Sequence, residues 1–299
     1  MLEEMQAETQ IVTLPVRAPR ISLRPLRIVK RYPLGVLSAM FLVTIISVAL
    51  LAPQIAPYSP TAADFGILEH PSNQHLFGTD RAGRDVFSRV VWGSRASLSI
   101  GLLAATFGAV TASAMGIIAG YYQRWPDYLV QRSSELLAMI PDLIFLFLWV
   151  VAFGPGYVTM ISALAVGGAF GGVRVIRGGI IAEKHAAYIE AAQSIGASGR
   201  RVILKHLLPN TISLIIVLFT LRIPAVILAE ASLSFLGLGI PPPNPSWGAD
   251  LGGTARTYFR QQPWLALAPG IALSLTVLSF SLLGDAVRDA LDPRLRGSR

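Results

Sequence analysis

Three ionisable residues stand inside apolar runs of this chain: Asp142, directly after Pro141, then Arg222 and Glu230. A charge facing lipid is costly, so such side chains turn toward a protein interior or a wet cavity, where they pair or meet a polar solute. Arg222 and Glu230 are eight residues apart, roughly two helical turns along one face. That is too far for an i, i+4 pair, so each needs helix-end solvation, a partner on another helix, or a solute. Asp142 is expected about one third of the way along its helix, where it could line a pathway. These three are the candidate substrate-pathway residues, with structural pairing the plainer alternative for each.

Covalent chemistry finds little support. The chain has no cysteine, which excludes disulfides, Cys-ligated zinc, iron–sulfur clusters and a thiol nucleophile together. No G-x-x-x-x-G-K-[ST] occurs, so there is no phosphate-cradling loop and the chain is not expected to hydrolyse ATP itself. Neither H-E-x-x-H nor G-x-S-x-G is present. The four histidines (His70, His75, His185 and His206) are scattered. His70 and His75 share a loop and could hold a metal weakly, but a solvated pair accounts for them better. No catalytic residue and no metal ligand is assigned.

The segment Glu190 to Pro209, EAAQSIGASGRRVILKHLLP, is polar and basic, and lies between long apolar spans. Glu190 to Ile195 are good helix formers, and Gly196 can break that turn. Ser198 is suited to cap a second stretch, Gly199 to Leu207, whose Arg200, Arg201 and Lys205 hold it at an aqueous surface. Pro209 is then expected to open the next span. The expected product is a compact knob that could seat in a partner's groove. An ordinary amphipathic connector is the plainer reading of Glu-Ala-Ala alone.

The elements that position these residues are membrane helices. Hydrophobic residues make up 53% of the chain and charged ones only 14%, against roughly 25% charged in a soluble domain. The net charge of +8 fits basic membrane loops better than nucleic-acid binding. A spanning helix needs about 20 mostly apolar residues, and six runs qualify: 34–52, 96–121, 136–153, 157–173, 211–231 and 264–284. The fourth is short and glycine-rich.

Short loops rich in Lys and Arg stay in the cytoplasm. The arm with Arg17, Arg20, Arg24, Arg27, Lys30 and Arg31 falls on one side of six spans. So do Arg124 and Arg132, the 174–205 loop, and the tail with Arg288, Arg294, Arg296 and Arg299. Both termini are therefore expected inside. Arg81, Arg84, Arg89 and Arg95 fall on the other side, partly offset by Asp80 and Asp85, as do Arg256 and Arg260. Residues 1–32, polar, basic and interrupted by proline, are expected to form a flexible cytoplasmic arm. Small residues recur every four positions at Gly108, Ala112, Gly116 and Gly120, and again at Ala163, Gly167 and Gly171, with Gly168 and Gly172 alongside. Such faces allow close helix approach. Packing within the chain is the plain expectation, and a dimer seam or substrate wall the alternative.

The Glu190–Pro209 pattern resembles the EAA loop of permease subunits in binding-protein-dependent ABC importers. Glu190, Ala191, Ala192, Gly196, Leu208 and Pro209 match, with Ala197 beside them, and His206 departs from an expected apolar residue. HLFGTDRAGRDVFSRVVWGSRASL (75–98), LAEASLSFLGLGIPPPNPSWG (228–248) and LLGDAVRDALDPRLR (282–296) resemble blocks of the dipeptide and oligopeptide permeases, second-permease type. Asp142, Arg222 and Pro224 depart from the small, polar or glycine residues expected there.

The resemblance implies an all-α integral membrane protein of the type I ABC importer permease fold, in the bacterial cytoplasmic membrane. Its parts would be an arm (1–32), a first span with an outer loop (33–95), a permease domain (96–285) and a cytoplasmic tail (286–299). It also implies a homologous permease as heterodimer partner, two ATPase subunits that dock on the loop and hold ATP and Mg, and an external binding protein. Di- or oligopeptides are the expected cargo, with nickel, glutathione or another small solute as the alternative. A membrane enzyme or standalone secondary transporter would need catalytic residues or internal repeats in the spans, and neither is seen.

Overall fold

The computed structural model describes residues 31–291, and every regular element among them is helical. The chain separates into residues 1–33 and residues 34–299. Most of the expected arm, and the tail beyond residue 291, lie outside the described residues. Besides one turn at Ala52–Ile55, the helices are α1 (Pro33–Leu50), α2 (Val86–Tyr122), α3 (Arg124–Ala138), α4 (Asp142–Phe153), α5 (Tyr157–Lys184), α6 (Ala187–Ser194), α7 (Gly199–Phe235), α8 (Trp247–Gly252), α9 (Thr254–Tyr258) and α10 (Trp264–Leu291). Five of them (α1, α2, α5, α7 and α10) are long and apolar enough to cross a membrane. A sixth crossing exists if α3 and α4, bent by 95° at their junction, count as one.

The expected third span is thus not one straight helix. Pro141 has no amide hydrogen and disfavours helix at Ile140, so α3 ends at Ala138 and α4 restarts at Asp142. Asp142 therefore opens its helix rather than standing one third along it. The 12 residues of α4 reach roughly 18 Å at about 1.5 Å per residue, short of a bilayer core of about 30 Å.

Other helices run longer than their hydrophobicity suggests. The Asp85 carboxylate accepts from the Ser88 amide at 2.8 Å and starts α2 at Val86, which puts Arg89 and Arg95 on a helix rather than in a loop. The fourth span does not stop near Val173 but continues to Lys184. Its basic end is held in place because Arg177 pairs with Asp127 of α3 and Lys184 donates to the Tyr121 carbonyl at 2.7 Å. Helix α7 passes through Pro209 without a restart. Its Ile203–Leu207 stretch is a π segment, whose wider turn relieves the clash between the proline ring and the Lys205 carbonyl four residues back.

The α2–α5 seam is the most extensive helix contact among the described residues and follows from small residues. A Cβ on Gly116 would lie 2.9 Å from the Ile176 side chain, and one on Gly120 3.0 Å from the Arg177 carbonyl. Gly108 faces the Ala165 carbonyl at 3.1 Å in the same sense. The plain expectation of packing within the chain holds for this face. On α5 the second face differs: Gly172 meets Ala112, but Gly167 looks at Phe145 of α4, and Gly168 and Gly171 look at Arg222 of α7. One apolar core joins α1, α2, α4, α5, α7, α8 and α10 around Leu98, Ile100, Ile227, Trp247 and Phe280. A second joins α2, α5, α6 and the start of α7 around Ile117, Val173, Ile176, Ile180, Ile189, Val202 and Leu207.

Candidate functional site

The 190–209 segment folds as a short helix, a glycine break and the start of a long helix. The break is a Schellman motif. The Gly196 amide donates to the Gln193 carbonyl at 2.9 Å and the Ala197 amide to the Ala192 carbonyl at 3.0 Å. Gly196 has φ +82°, the left-handed conformation that a side chain disfavours. This accounts for the spacing of the motif: the Ala192 carbonyl accepts the longer closing bond, from Ala197, and the glycine falls where the chain must reverse. Ser198 stands at the N-cap of α7 without a side-chain cap bond, so its expected capping role is not made.

Burial divides the knob into two sides. Ile189, Val202 and Leu207 are fully buried and Ala192 nearly so, all against the second core. Glu190, Ala191, Gly196 and Pro209 are exposed, while Ala197 and Leu208 are half-buried. Ile195, a large apolar side chain, is 86% exposed at the tip. Asn210 Nδ2 donates to the Tyr188 hydroxyl at 3.0 Å, and that hydroxyl donates to Glu183, clipping α6 between α5 and α7. Partial burial and this bond to Glu183 push the Tyr188 phenol up to about 12. His206, the departure from the apolar pattern, is half-buried with its ring 6.3 Å from that of Tyr188.

Of the three pathway candidates, two come together. Asp142 and Arg222 line the same cavities, of about 90 Å³ and 170 Å³, between α4, α5 and α7. A third cavity of about 100 Å³ reaches Arg222 from the α2 side. Each is smaller than the ~300 Å³ of a typical small-molecule site. The Arg222 guanidinium lies against the glycine face of α5, donating from Nη2 to the Gly167 carbonyl over a long 3.5 Å.

Glu230 does not join them. It is fully buried, accepts from the Ser234 hydroxyl at 2.7 Å, and has the Ser97 and Ser246 hydroxyls beside it. These residues tie α7 to α2 and to the start of α8, whose Trp247 indole donates to the Val90 carbonyl at 3.0 Å. The hydroxyl partners of Glu230 are those of a structural pairing, while its Oε2 is buried without a partner among the described residues.

A buried ionic cluster was not anticipated from the sequence. Arg89 Nη2 pairs with Asp250 Oδ1 at 2.5 Å, and its Nη1 donates to the Pro60 and Pro243 carbonyls, both at 3.0 Å. Arg84 pairs with Asp80 at 2.6 Å. With Asn244 and Leu236 these residues line a cavity of about 360 Å³. The signal available was the basic excess on the side where the positive-inside rule disfavours it. His75 bonds Asp85 through Nδ1 at 2.9 Å and is buried, while His70 packs near Trp264. Among the described residues no group of three or more His, Asp or Glu is placed to hold a metal ion.

Comparison with known proteins matches two family models. Residues 112–297 match the binding-protein-dependent transport system inner membrane component, and residues 26–74 match the N-terminal TM domain of oligopeptide transport permease C. Among similar relatives are glutathione transport system permease proteins GsiD from Escherichia coli O6:K15:H31, Shigella boydii serotype 4 and Shigella dysenteriae serotype 1. Each is 42% identical over 270 residues, covering 90% of this chain and 89% of the relative.

Proposed function

The chain belongs to the binding-protein-dependent transport system inner membrane components, the permeases of ABC importers, and from that premise we propose that it passes small peptides, glutathione among them, into the bacterial cytoplasm. It is a multi-pass protein of the bacterial inner membrane, and its family works with ATPase and binding-protein partners. In this reading it pairs with a homologous permease, both termini face the cytoplasm, and ATP and Mg are bound by two ATPase subunits rather than by this chain.

The observation that carries the coupling role is the two-sidedness of the knob. Ile195 is 86% exposed at its tip, while Ile189, Val202 and Leu207 anchor its base at 0% exposure. An exposed apolar residue on a rigid base suits insertion into a partner's groove. The base belongs to the core that also holds α2 and α5. A displacement imposed by closing ATPases would therefore reach the membrane helices as a rigid-body movement.

The cargo reading rests on the 75–98 and 228–248 blocks and on relatives whose name is a glutathione permease. Glutathione is itself a tripeptide, so the two lines agree on chemical class. Deleting the gene and measuring uptake of labelled glutathione and of a dipeptide tests this. Uptake of at least one should fall; normal uptake of both with lost nickel accumulation would reverse the assignment.

A further inference from the structure

We propose that Arg222 is the carboxylate-receiving point of the translocation pathway, so that cargo crossing here carries a free carboxylate and no net positive charge. The inference rests on the peptide reading above and narrows it.

Arg222 stands near the middle of an apolar helix, where an arginine persists only with a partner or a polar visitor. A guanidinium offers five N–H donors in a fixed fork. Here its one hydrogen bond is the 3.5 Å contact to Gly167, and the buried Nε has no protein partner. No described carboxylate lies within ion-pair distance of it, in contrast to Arg84, Arg89 and Arg177, each of which holds an aspartate.

The seat is made by glycine. A Cβ on Gly171 would stand 3.2 Å from Nη2 and 3.3 Å from Nη1, and one on Gly168 3.6 Å from Nε. The guanidinium thus lies along the α5 backbone, beside cavities that border α4. Arg174, Arg222 and Asp142 all line the 170 Å³ cavity, two positive groups against one negative, for a net charge of +1. That balance attracts an anion and repels a divalent cation. Asp142, exposed at the start of α4, leaves a place for the ammonium of a zwitterionic peptide. A bidentate guanidinium–carboxylate contact needs two parallel donors, which lysine at the same position would not supply.

The test is uptake of labelled glutathione and of a dipeptide by the complete transporter in proteoliposomes, alongside ATPase activity stimulated by loaded binding protein. Arg222→Gln should lower uptake about tenfold or more, the size expected when a hydrogen bond to a charged group is lost, while ATPase stimulation stays near wild type. Arg222→Lys should recover part of the uptake. Gly171→Val provides a second route, because it keeps the charge but displaces the guanidinium, and it should lower uptake about threefold or more. Uptake by Arg222→Gln or Gly171→Val equal to wild type would overturn the proposal. So would parallel loss of uptake and ATPase stimulation in Arg222→Gln and Arg222→Lys, which marks a purely structural arginine. Where Arg222→Gln does not assemble, Gly171→Val decides. Absence of peptide uptake by the wild-type transporter would instead remove the peptide reading, and this inference with it.

Discussion

Replacing Ile195 by alanine separates docking from folding more cleanly than any other single change in the knob. The side chain is 86% exposed at the C-cap of α6, so truncation removes almost no contact within the chain, and surface changes of this kind move stability by about 0.5 kcal/mol or less. If the tip is buried in an ATPase groove, the substitution withdraws about three carbons from that interface, at ~0.8 kcal/mol each. Allowing for incomplete burial, the loss is ~2 kcal/mol, or about thirtyfold in dissociation constant. The assay is titration of the ATPase subunits onto the permease pair in nanodiscs, with thermal stability of the permease measured in parallel. An unchanged dissociation constant for Ile195→Ala would refute the docking geometry. Ile189→Ala is the contrast, since Ile189 is fully buried and its loss should cost about 2–5 kcal/mol of stability.

Three further outcomes are expected. Gly116→Ala forces a methyl to within 2.9 Å of Ile176 and should destabilise the α2–α5 seam by about 1–3 kcal/mol. Gly178→Ala, with nothing within 4 Å of its Cβ, should be neutral or stabilising by up to about 1 kcal/mol; thermal melts in detergent distinguish them. Arg89→Met strands a buried Asp250 and should cost about 3–5 kcal/mol, most of it recovered in Arg89→Met/Asp250→Leu; a double variant no better than the single one would contradict the pairing. Single cysteines at Asn73 and Asn244, both exposed, should label with an impermeant thiol reagent in intact cells. Labelling only after lysis would reverse the proposed orientation.

The long spans and the knob were legible because their signals are local: apolar runs, and a glycine at the position where a short helix must reverse. Helix ends were less legible. Asp85 starts α2 early through a side-chain cap, and Arg177 stays helical because Asp127 lies on a different helix. Local hydrophobicity records neither. The Pro141 break was visible as a proline, but not as a 95° bend, which depends on what the two halves pack against. Pro209 misled in the other direction, since a π segment carries α7 through it. For the site, Asp142 and Arg222 could be singled out as candidates because a charge in an apolar run is costly, and the fold places both on shared cavities. The Arg89–Asp250 pair is separated by 161 residues, and no spacing rule could join its halves. The same holds for the separation of Glu230 from Arg222: one helix carries both, and only the packing of α2 and α8 surrounds Glu230 with serine hydroxyls.

The coupling claim is tested most directly by placing a single cysteine at Ile195 of this cysteine-free chain, attaching a photoactivatable maleimide, and irradiating membranes that contain the assembled transporter. The account predicts an adduct with an ATPase subunit whose yield changes when ATP is added, and no ATPase adduct from the same probe at Asn73. Equal capture from both positions, or capture from Asn73 alone, would contradict it.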